Sequence, residues 1–490
     1  YFVLKNILHF IFLFKKASYV ESFFSTLKQN ILRNYTLKSY NFFLSENTGF
    51  LVRNITSEIE KVRYAIVETI SITKELFLIT LLFILSCSIN LYGTIFMTSI
   101  LLIVSVGFYL ILKPQLKKKG KTLRYVEGKE MKFLLDFFNA IKLIKILKKE
   151  IFFLDHYSHN LKKIEKNKKF FFILNSSPRI IFETVSVLMV MLLCIIFILT
   201  NNEANDVLPS LAALIFVSIR LLPSYNIITG GYTAIKFNSE AISAVLALVD
   251  KLEKKDNSYE KNISNSKLIF NSNINIENLK ISFKSKVVIN VDNLTIYQNK
   301  ITGLIGPSGS GKSTFLNVLS SIIKPDTGSV RIGEQDVFDC VQDWRGFVGY
   351  VPQETVIIDS SLKNNIAFGV EEKLIDFQKI DRLIDKLDLR YFVNSLDKGI
   401  ETSLGDKGLK ISGGQKQRIG IARALYFDPK LLLLDESTSS LDIDTEKKIL
   451  SSLANLSSNQ ITIILSTHRE SSLSICDFVY RMNQGNIEKI

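Results

Sequence analysis

Residues 306–314 read GPSGSGKST. Glycines at this spacing let backbone N–H groups close around an anion, and a helix opening behind them adds the positive end of its dipole. In such a loop Gly306, Pro307, Ser308, Gly309, Ser310, Gly311 and Thr314 shape the cradle. Lys312 neutralises the β- and γ-phosphates of a nucleotide, and the Ser313 hydroxyl is placed to hold Mg²⁺. The spacing G-x-x-x-x-G-K-S is specific when a strand precedes it and a helix follows; ITGLI before and STFLNVLSSI after supply both. Further along, ISGGQKQR offers a second grip, where Ser412, Gly413, Gly414 and Gln415 open another helix with free N–H groups. ATP and Mg²⁺ are the expected ligands, and two grips for one nucleotide need an explanation.

Other residues that suit this chemistry stand at the ends of short apolar runs. GFVGYV runs into Gln353, LLLL into Asp435 and Glu436, and ITIILS into Thr467 and His468. In an open parallel sheet, ligands gather where strands end. Asp435 can hold Mg²⁺ and Glu436 can orient or deprotonate an attacking water, while the Gln353 amide suits both Mg²⁺ and water. His468 is placed to sense the γ-phosphate. Taken singly, each has a plainer reading: a pair of surface acids, an exposed loop amide, a solvated histidine. Their order behind a phosphate loop is what gives them weight.

The elements that must position these residues divide the chain. At 490 residues it exceeds one core, and a 47% apolar fraction beside 22% charged residues is an average over two unlike halves. Residues 1–250 hold the long apolar runs and residues 271–490 read as an α/β domain; the polar stretch KLEKKDNSYEKNISNSK lies within a linker at 251–270. The formal net charge is +14, and 17 Lys/Arg against six Asp/Glu fall in residues 113–170 alone. Charge packed beside apolar spans follows the positive-inside rule, and no basic-aromatic groove points to nucleic acid. Four scattered cysteines with no CxxC, and four histidines, imply neither a disulfide framework nor a metal cluster.

Residues 76–112 are 37 consecutive uncharged residues, roughly 56 Å as helix and nearly twice the hydrocarbon core. Two spans with a turn near residues 90–93 accommodate them. A second hairpin is expected over 178–235, with the acidic tip NNEAND outside. The run 1–14 reads as a fifth span, so at least one more is expected upstream of Tyr1 and the sequence reads as missing its beginning. The segments 15–75 and 113–170 are too long for bilayer loops and too apolar for solvent, which implies that the spanning helices continue far into the cytoplasm. Arg179 and Glu183 at the start of one span, and Arg220 inside the last, are the candidate residues of a substrate path. The plainer reading of Arg179 and Glu183 is an i, i+4 pair that satisfies itself.

The soluble half resembles the nucleotide-binding domain of ATP-binding cassette (ABC) proteins. ISGGQKQR matches the family signature, STSSLD (residues 437–442) the loop after the catalytic glutamate, and STHR the histidine switch. The membrane half looks like the exporter arrangement, so the fold expected is an α-helical transmembrane domain, N-terminally incomplete, followed by an α/β P-loop ATPase domain. The resemblance implies that the signature of one chain closes on ATP held by the phosphate loop of a second. A homodimer is the simplest assembly, and a related half-transporter is the alternative partner. It assigns Ser440 and Asp442 to the dimer loop, Phe283 to adenine stacking, and the protein to a multi-pass place in the cell's inner (plasma) membrane among lipids, cassette inside. Ile411 replaces the usual leucine, and Asp406 stands where exporters usually carry glutamate.

SPRIIFE and RLLPSYN resemble exporters that flip lipid-linked oligosaccharides, which implies an ATP-driven exporter or flippase moving an amphipathic lipid or lipid-linked saccharide. A multidrug or peptide exporter is the alternative. An ATP-gated channel is a further one, against which intact Glu436 and His468 argue. A soluble mechanical ATPase conflicts with the uncharged run.

Overall fold

A computed structural model describes residues 2–88, 90–199, 204–253, 268–283, 286–405, 411–438, 443–458 and 460–490. The chain forms two compact units, one of Tyr1–Lys38 with Phe42–Asp256 and one of Ser39–Asn41 with Asn257–Ile490.

The first unit is helical. Its main elements are α1 (Phe2–Thr36), α2 (Thr48–Cys87), α3 (Leu91–Asn139), α4 (Glu150–Leu199), α5 (Ala204–Phe237) and α6 (Ser239–Glu253). The uncharged run turns between Cys87 and Leu91, where Asn90 caps α3 by accepting from the Gly93 N–H at 2.9 Å. Among the described residues three helices are long and apolar enough to cross a membrane: Thr48–Cys87, Leu91–Asn139 and Glu150–Leu192. In the most apolar stretches of α2 and α3 only 11% of residues are buried within the unit. Exposed Phe77, Ile84, Leu102, Ile103 and Leu110 belong in hydrocarbon rather than water. Two expected spans fall on α1 and α5; the tip NNEAND lies partly outside the described residues.

At 49 and 50 residues, α3 and α4 are each roughly 75 Å long, well beyond one bilayer core. Among the described residues three patches hold the bundle: Val20, Phe24, Ile31, Tyr35, Ile59 and Val245; then Met97, Leu101, Phe182, Met189, Val217 and Leu221; then Leu116, Leu123, Val126, Ile164 and Phe237. The polar stretch placed in the linker begins later than its composition suggests. Lys251–Glu253 still belong to α6, where Lys251 pairs with Glu46 at 2.8 Å.

Among the described residues the second unit carries ten strands: β1 (Ile274–Phe283), β2 (Lys286–Ile296), β3 (Ile301–Ile305), β4 (Thr327–Ile332), β5 (Gln335–Asp336), β6 (Val348–Val351), β7 (Leu431–Asp435), β8 (Thr462–Ser466), β9 (Phe478–Asn483) and β10 (Asn486–Lys489). An antiparallel sheet runs β2-β1-β4-β5, and the other runs β10-β9-β3-β8-β7-β6. Strands β3, β6, β7, β8 and β9 are parallel. Leu431, Leu432, Leu433 and Leu434 are all fully buried, as strands covered on both faces require, each worth about 1.5–3 kcal/mol. GFVGYV is only partly a strand. Gly346 and Phe347 close the preceding helix, the Phe347 ring packing edge-on against Phe270, and the Phe347 carbonyl accepts from Lys430 N–H where the β6–β7 ladder begins.

Parallel register decides which residues meet. Asp435 pairs with Ser466 across β7–β8, and Leu304 pairs with Ser466 across β3–β8. The ends of β3, β7 and β8 therefore lie side by side, each handing on to a residue of the expected chemistry.

Candidate nucleotide site

Strand β3 ends at Ile305 and the chain turns back on itself, Ser310 N–H donating to Pro307 O, before helix α7 (Lys312–Leu319) opens. Gly306 has no room for a side chain: an added Cβ would lie 2.2 Å from the Met482 carbonyl oxygen of β9. The neighbouring strand thus imposes a glycine where the loop leaves the sheet. Lys312 is only 5% exposed, and its ammonium donates to the carbonyls of Gly306 (2.9 Å) and Pro307 (3.3 Å). The same Nζ lies 3.2 Å from His468 Nε2 and 3.8 Å from Glu436 Oε1. Burial pushes the ammonium below the ordinary lysine range, opposed by the carboxylates of Glu436 and Asp435.

Asp435 is 4% exposed at the end of β7, and its Oδ1 has no hydrogen-bond partner. Tyr350 from β6 donates to Oδ2 at 3.4 Å. Burial raises this carboxyl above the ordinary range, with the Ser313 hydroxyl acting the other way. Glu436 follows with φ +47, a left-handed conformation that an unbranched side chain adopts at a cost of about 1–3 kcal/mol. Its N–H donates to Ser466 O at 3.1 Å, which holds the turn. Its carboxylate accepts from Gln353 Nε2 at 2.9 Å and meets His468 Nε2 at 2.7 Å. Thr467 N–H donates to Leu304 O, so His468 leaves the sheet directly beside the loop.

Lys312, Asp435, Glu436, Gln353 and His468 thus converge in space from separate stretches of sequence. Tyr350 joins them and sequence reasoning passed it over; it is the last aromatic of GFVGYV, two residues before the pair of turn residues that end the strand. An orphaned buried carboxylate oxygen beside a hydroxyl, an amide and a phosphate loop is a donor set that fits Mg²⁺.

Ser412–Gln415 lie elsewhere in the unit. Ser412 caps helix α8 (Gly413–Tyr426) in a reciprocal box: Gln415 N–H donates to Ser412 Oγ at 3.2 Å, and Ser412 N–H to Gln415 Oε1 at 2.8 Å. That box leaves the N–H groups of Gly413 and Gly414 without intrahelical partners. Among the described residues no hydrogen bond or ion pair joins residues 412–415 to the phosphate loop of the same chain. Phe283 ends β1 opposite Lys286. Ser440, Asp442 and Asp406 lie outside the described residues, and so does the Phe283 side chain.

In the helical unit, Arg179 and Glu183 are both exposed and form no ion pair with each other. Arg220 lines a cavity of about 330 Å³ with Lys5, His9, Lys74, Glu75 and Ser224. Glu75, at 5% exposed, pairs with Lys74 at 2.7 Å and accepts from Ser224 Oγ at 2.7 Å. The sequence shows no acid near Arg220, yet α2 brings one beside the same cavity. The signal was the charged border of the uncharged run, Lys74–Glu75 immediately before residue 76.

The family model for ABC transporters matches residues 289–439. An export ATP-binding/permease protein of Rickettsia prowazekii is 34% identical over 251 residues, covering 50% of this chain and 42% of that protein. The heterocyst differentiation ATP-binding protein HepA of Nostoc is 27% identical over 94% of this chain and 75% of its own length. The fold of the chain matches that of a bacterial Atm1-family ABC exporter with ATP bound, at TM-score 0.83 and 20% identity, covering 96% of this chain and 82% of the other. The match to the Rickettsia proteins spans less than half of their length. The phosphate loop and the strand-end acids Asp435 and Glu436 thus lie within the stretch that matches the ABC transporter model, in a chain whose fold is that of an ABC exporter.

Proposed function

We propose that this chain is half of an ATP-hydrolysing exporter that moves an amphipathic substrate across a membrane as a dimer. The observation that carries the proposal is the convergence of Lys312, Asp435, Glu436, Gln353 and His468 at the ends of β3, β6, β7 and β8. In this reading residues 306–314 wrap the phosphates of ATP, with Phe283 against the adenine. Ser313, Asp435 and Gln353 hold Mg²⁺, which would supply charge neutralisation at the β- and γ-phosphates. Glu436, held between Gln353 and His468, aligns a water and takes its proton. His468 returns a hydrogen bond to the γ-phosphate once Lys312 turns from the loop carbonyls to the nucleotide.

The signature residues Ser412, Gly413, Gly414 and Gln415 act on the partner's nucleotide. Their free N–H groups face outward at a helix start and make no contact with their own phosphate loop, which is the arrangement a second chain needs. Ser440 and Asp442 would meet the partner too. The partner is a second copy, or a related half-transporter, and the assembly sits in the inner (plasma) membrane with its cassettes in the cytoplasm.

The substrate reading rests on charge. Lys5, Lys74 and Arg220 outnumber Glu75 around the cavity, which favours an anionic head group such as that of a lipid-linked saccharide. Arg179 and Glu183, exposed and unpaired with each other, extend that path. A multidrug or peptide exporter would use the same cassette. The test is ATP-dependent flipping of a fluorescent lipid-linked oligosaccharide in liposomes, with Glu436→Gln as the blank. Movement that needs ATP and Glu436 supports the assignment. ATPase activity without movement discards the glycolipid and keeps the exporter.

A further inference from the structure

A second cavity, of about 250 Å³, opens where α2, α3 and α6 meet, away from Arg220. Arg53, Lys121, Arg124, Lys129 and Lys132 line it, with Glu240 as the one lining acid. Arg53 makes this more than a face of solvated lysines. It is 7% exposed, and its guanidinium lies against Gly128 of α3, where an added Cβ would come within 2.1 Å of Nη1. Nη1 donates to the Arg124 carbonyl at 3.2 Å. Nε lies 3.2 Å from Glu58 Oε1, close enough for an ion pair but off the axis of a hydrogen bond, so the buried N–H is left without a hydrogen-bonded partner.

The charge does not cancel. Glu58, fully buried at the π-helical turn of α2, is shared by Arg53 and by Arg124 at 3.1 Å, with Lys61 more distant at 3.9 Å. Lys121, Lys129 and Lys132 have no ion pair among the described residues, which leaves an excess of positive charge around the open side of the cavity. Two rings stand beside these cations: Lys129 sits 4.5 Å over Tyr125 and Arg53 4.8 Å over Phe50. Five cations against one lining acid make the complementary ligand an anion, and a cavity of about 250 Å³ suits a compact one.

We infer that this cavity binds a small soluble anion carrying two or more phosphates. Its depth selects the source. The uncharged run of α3 ends at residue 112, and Lys121 to Lys132 lie nine to 20 residues further on. That is roughly 13–30 Å along the helix, beyond the reach of a headgroup in the plane of the bilayer. The site is independent of the transport reading, because none of its residues belongs to the cassette or to the Arg220 cavity.

The probe is inorganic pyrophosphate, titrated calorimetrically into the full chain in phosphatidylcholine nanodiscs at 150 mM salt. Lys312→Ala silences the cassette's own phosphate loop. One saturable site per chain is expected. Lys129→Glu with Lys132→Glu removes two charge-assisted contacts and should weaken binding on the order of a hundredfold. Glu240→Gln should tighten it several-fold, a gain that damaged folding cannot mimic. Absence of saturable binding in Lys312→Ala protein, or equal binding by the Lys129→Glu/Lys132→Glu variant, would overturn the inference. Nanodiscs containing phosphatidylglycerol provide the other arm, since surface charge is screened beyond about 8 Å at this salt. Unchanged pyrophosphate affinity there supports a soluble ligand; a tenfold loss would assign the site to a lipid headgroup instead.

Discussion

Replacing Asp435 with Asn should make the metal-free cassette more stable while removing Mg²⁺-dependent turnover. The carboxylate is 4% exposed, one of its oxygens has no partner, and its contact from Tyr350 is long at 3.4 Å. A buried, unsatisfied acceptor costs about 1–3 kcal/mol, more when charged, and the amide removes the charge while keeping an acceptor for Tyr350. At roughly 2–4 °C per kcal/mol for a domain of this size, the melting transition of the second unit should rise by several degrees at pH 7. The pH dependence fixes the cause. Burial raises the folded-state pKa of Asp435, so the folded protein holds its proton more tightly than the unfolded chain does. This group therefore subtracts stability as pH rises from the ordinary carboxylate range near 4 through the raised value. The advantage of the Asp435→Asn variant over the parent should grow as pH rises above the ordinary carboxylate range and fade below about pH 4. Adding Mg²⁺ and ATP should raise the parent's transition and leave the variant's nearly unmoved. A variant that melts lower at pH 7, or that gains from Mg²⁺·ATP as the parent does, would refute the account of Asp435 as a carboxylate waiting for a cation.

Gly306→Ala would drive a methyl into the Met482 carbonyl, and we expect loss of ATP binding together with a destabilisation of about 2 kcal/mol or more, read by nucleotide fluorescence and thermal melting. Ser412→Ala deletes the side-chain half of the capping box and should cost about 1 kcal/mol of cassette stability; turnover should fall further than ATP binding, because the affected helix start serves the partner's nucleotide. Glu75→Gln should raise the affinity of the Arg220 cavity for anionic amphiphiles several-fold by removing its buried acid, measured as substrate-stimulated ATPase activity in liposomes.

What could be read from the sequence depended on whether a contact is local. Residues 306–314 carry their conformation in glycine spacing, and the capping residues 412–415 carry theirs in the Ser-x-x-Gln pattern, so both were visible as strings. The four-leucine run announced a strand buried on both faces and, with it, the position of Asp435. Tyr350 and Ser466 reach Asp435 only through sheet order, and nothing along the chain says that β6 lies beside β7. Glu75 was hidden for the same reason: its link to the Arg220 cavity is made by the packing of α2 on α5. GFVGYV misled by composition, because Gly346 and Phe347 complete the helix Val341–Phe347, with the Phe347 ring against Phe270, although they read as strand.

The most direct test of the central claim is the turnover of Glu436→Gln protein at saturating Mg²⁺·ATP, measured beside its ATP affinity. Glu436 is held by Gln353 at 2.9 Å and His468 at 2.7 Å, and a general base contributes a factor on the order of 10²–10⁴. The account predicts a fall in turnover of about a hundredfold or more, with ATP binding intact and the closed dimer accumulating. Turnover within a factor of two of the parent would contradict it, and the water-activating group would have to be sought elsewhere.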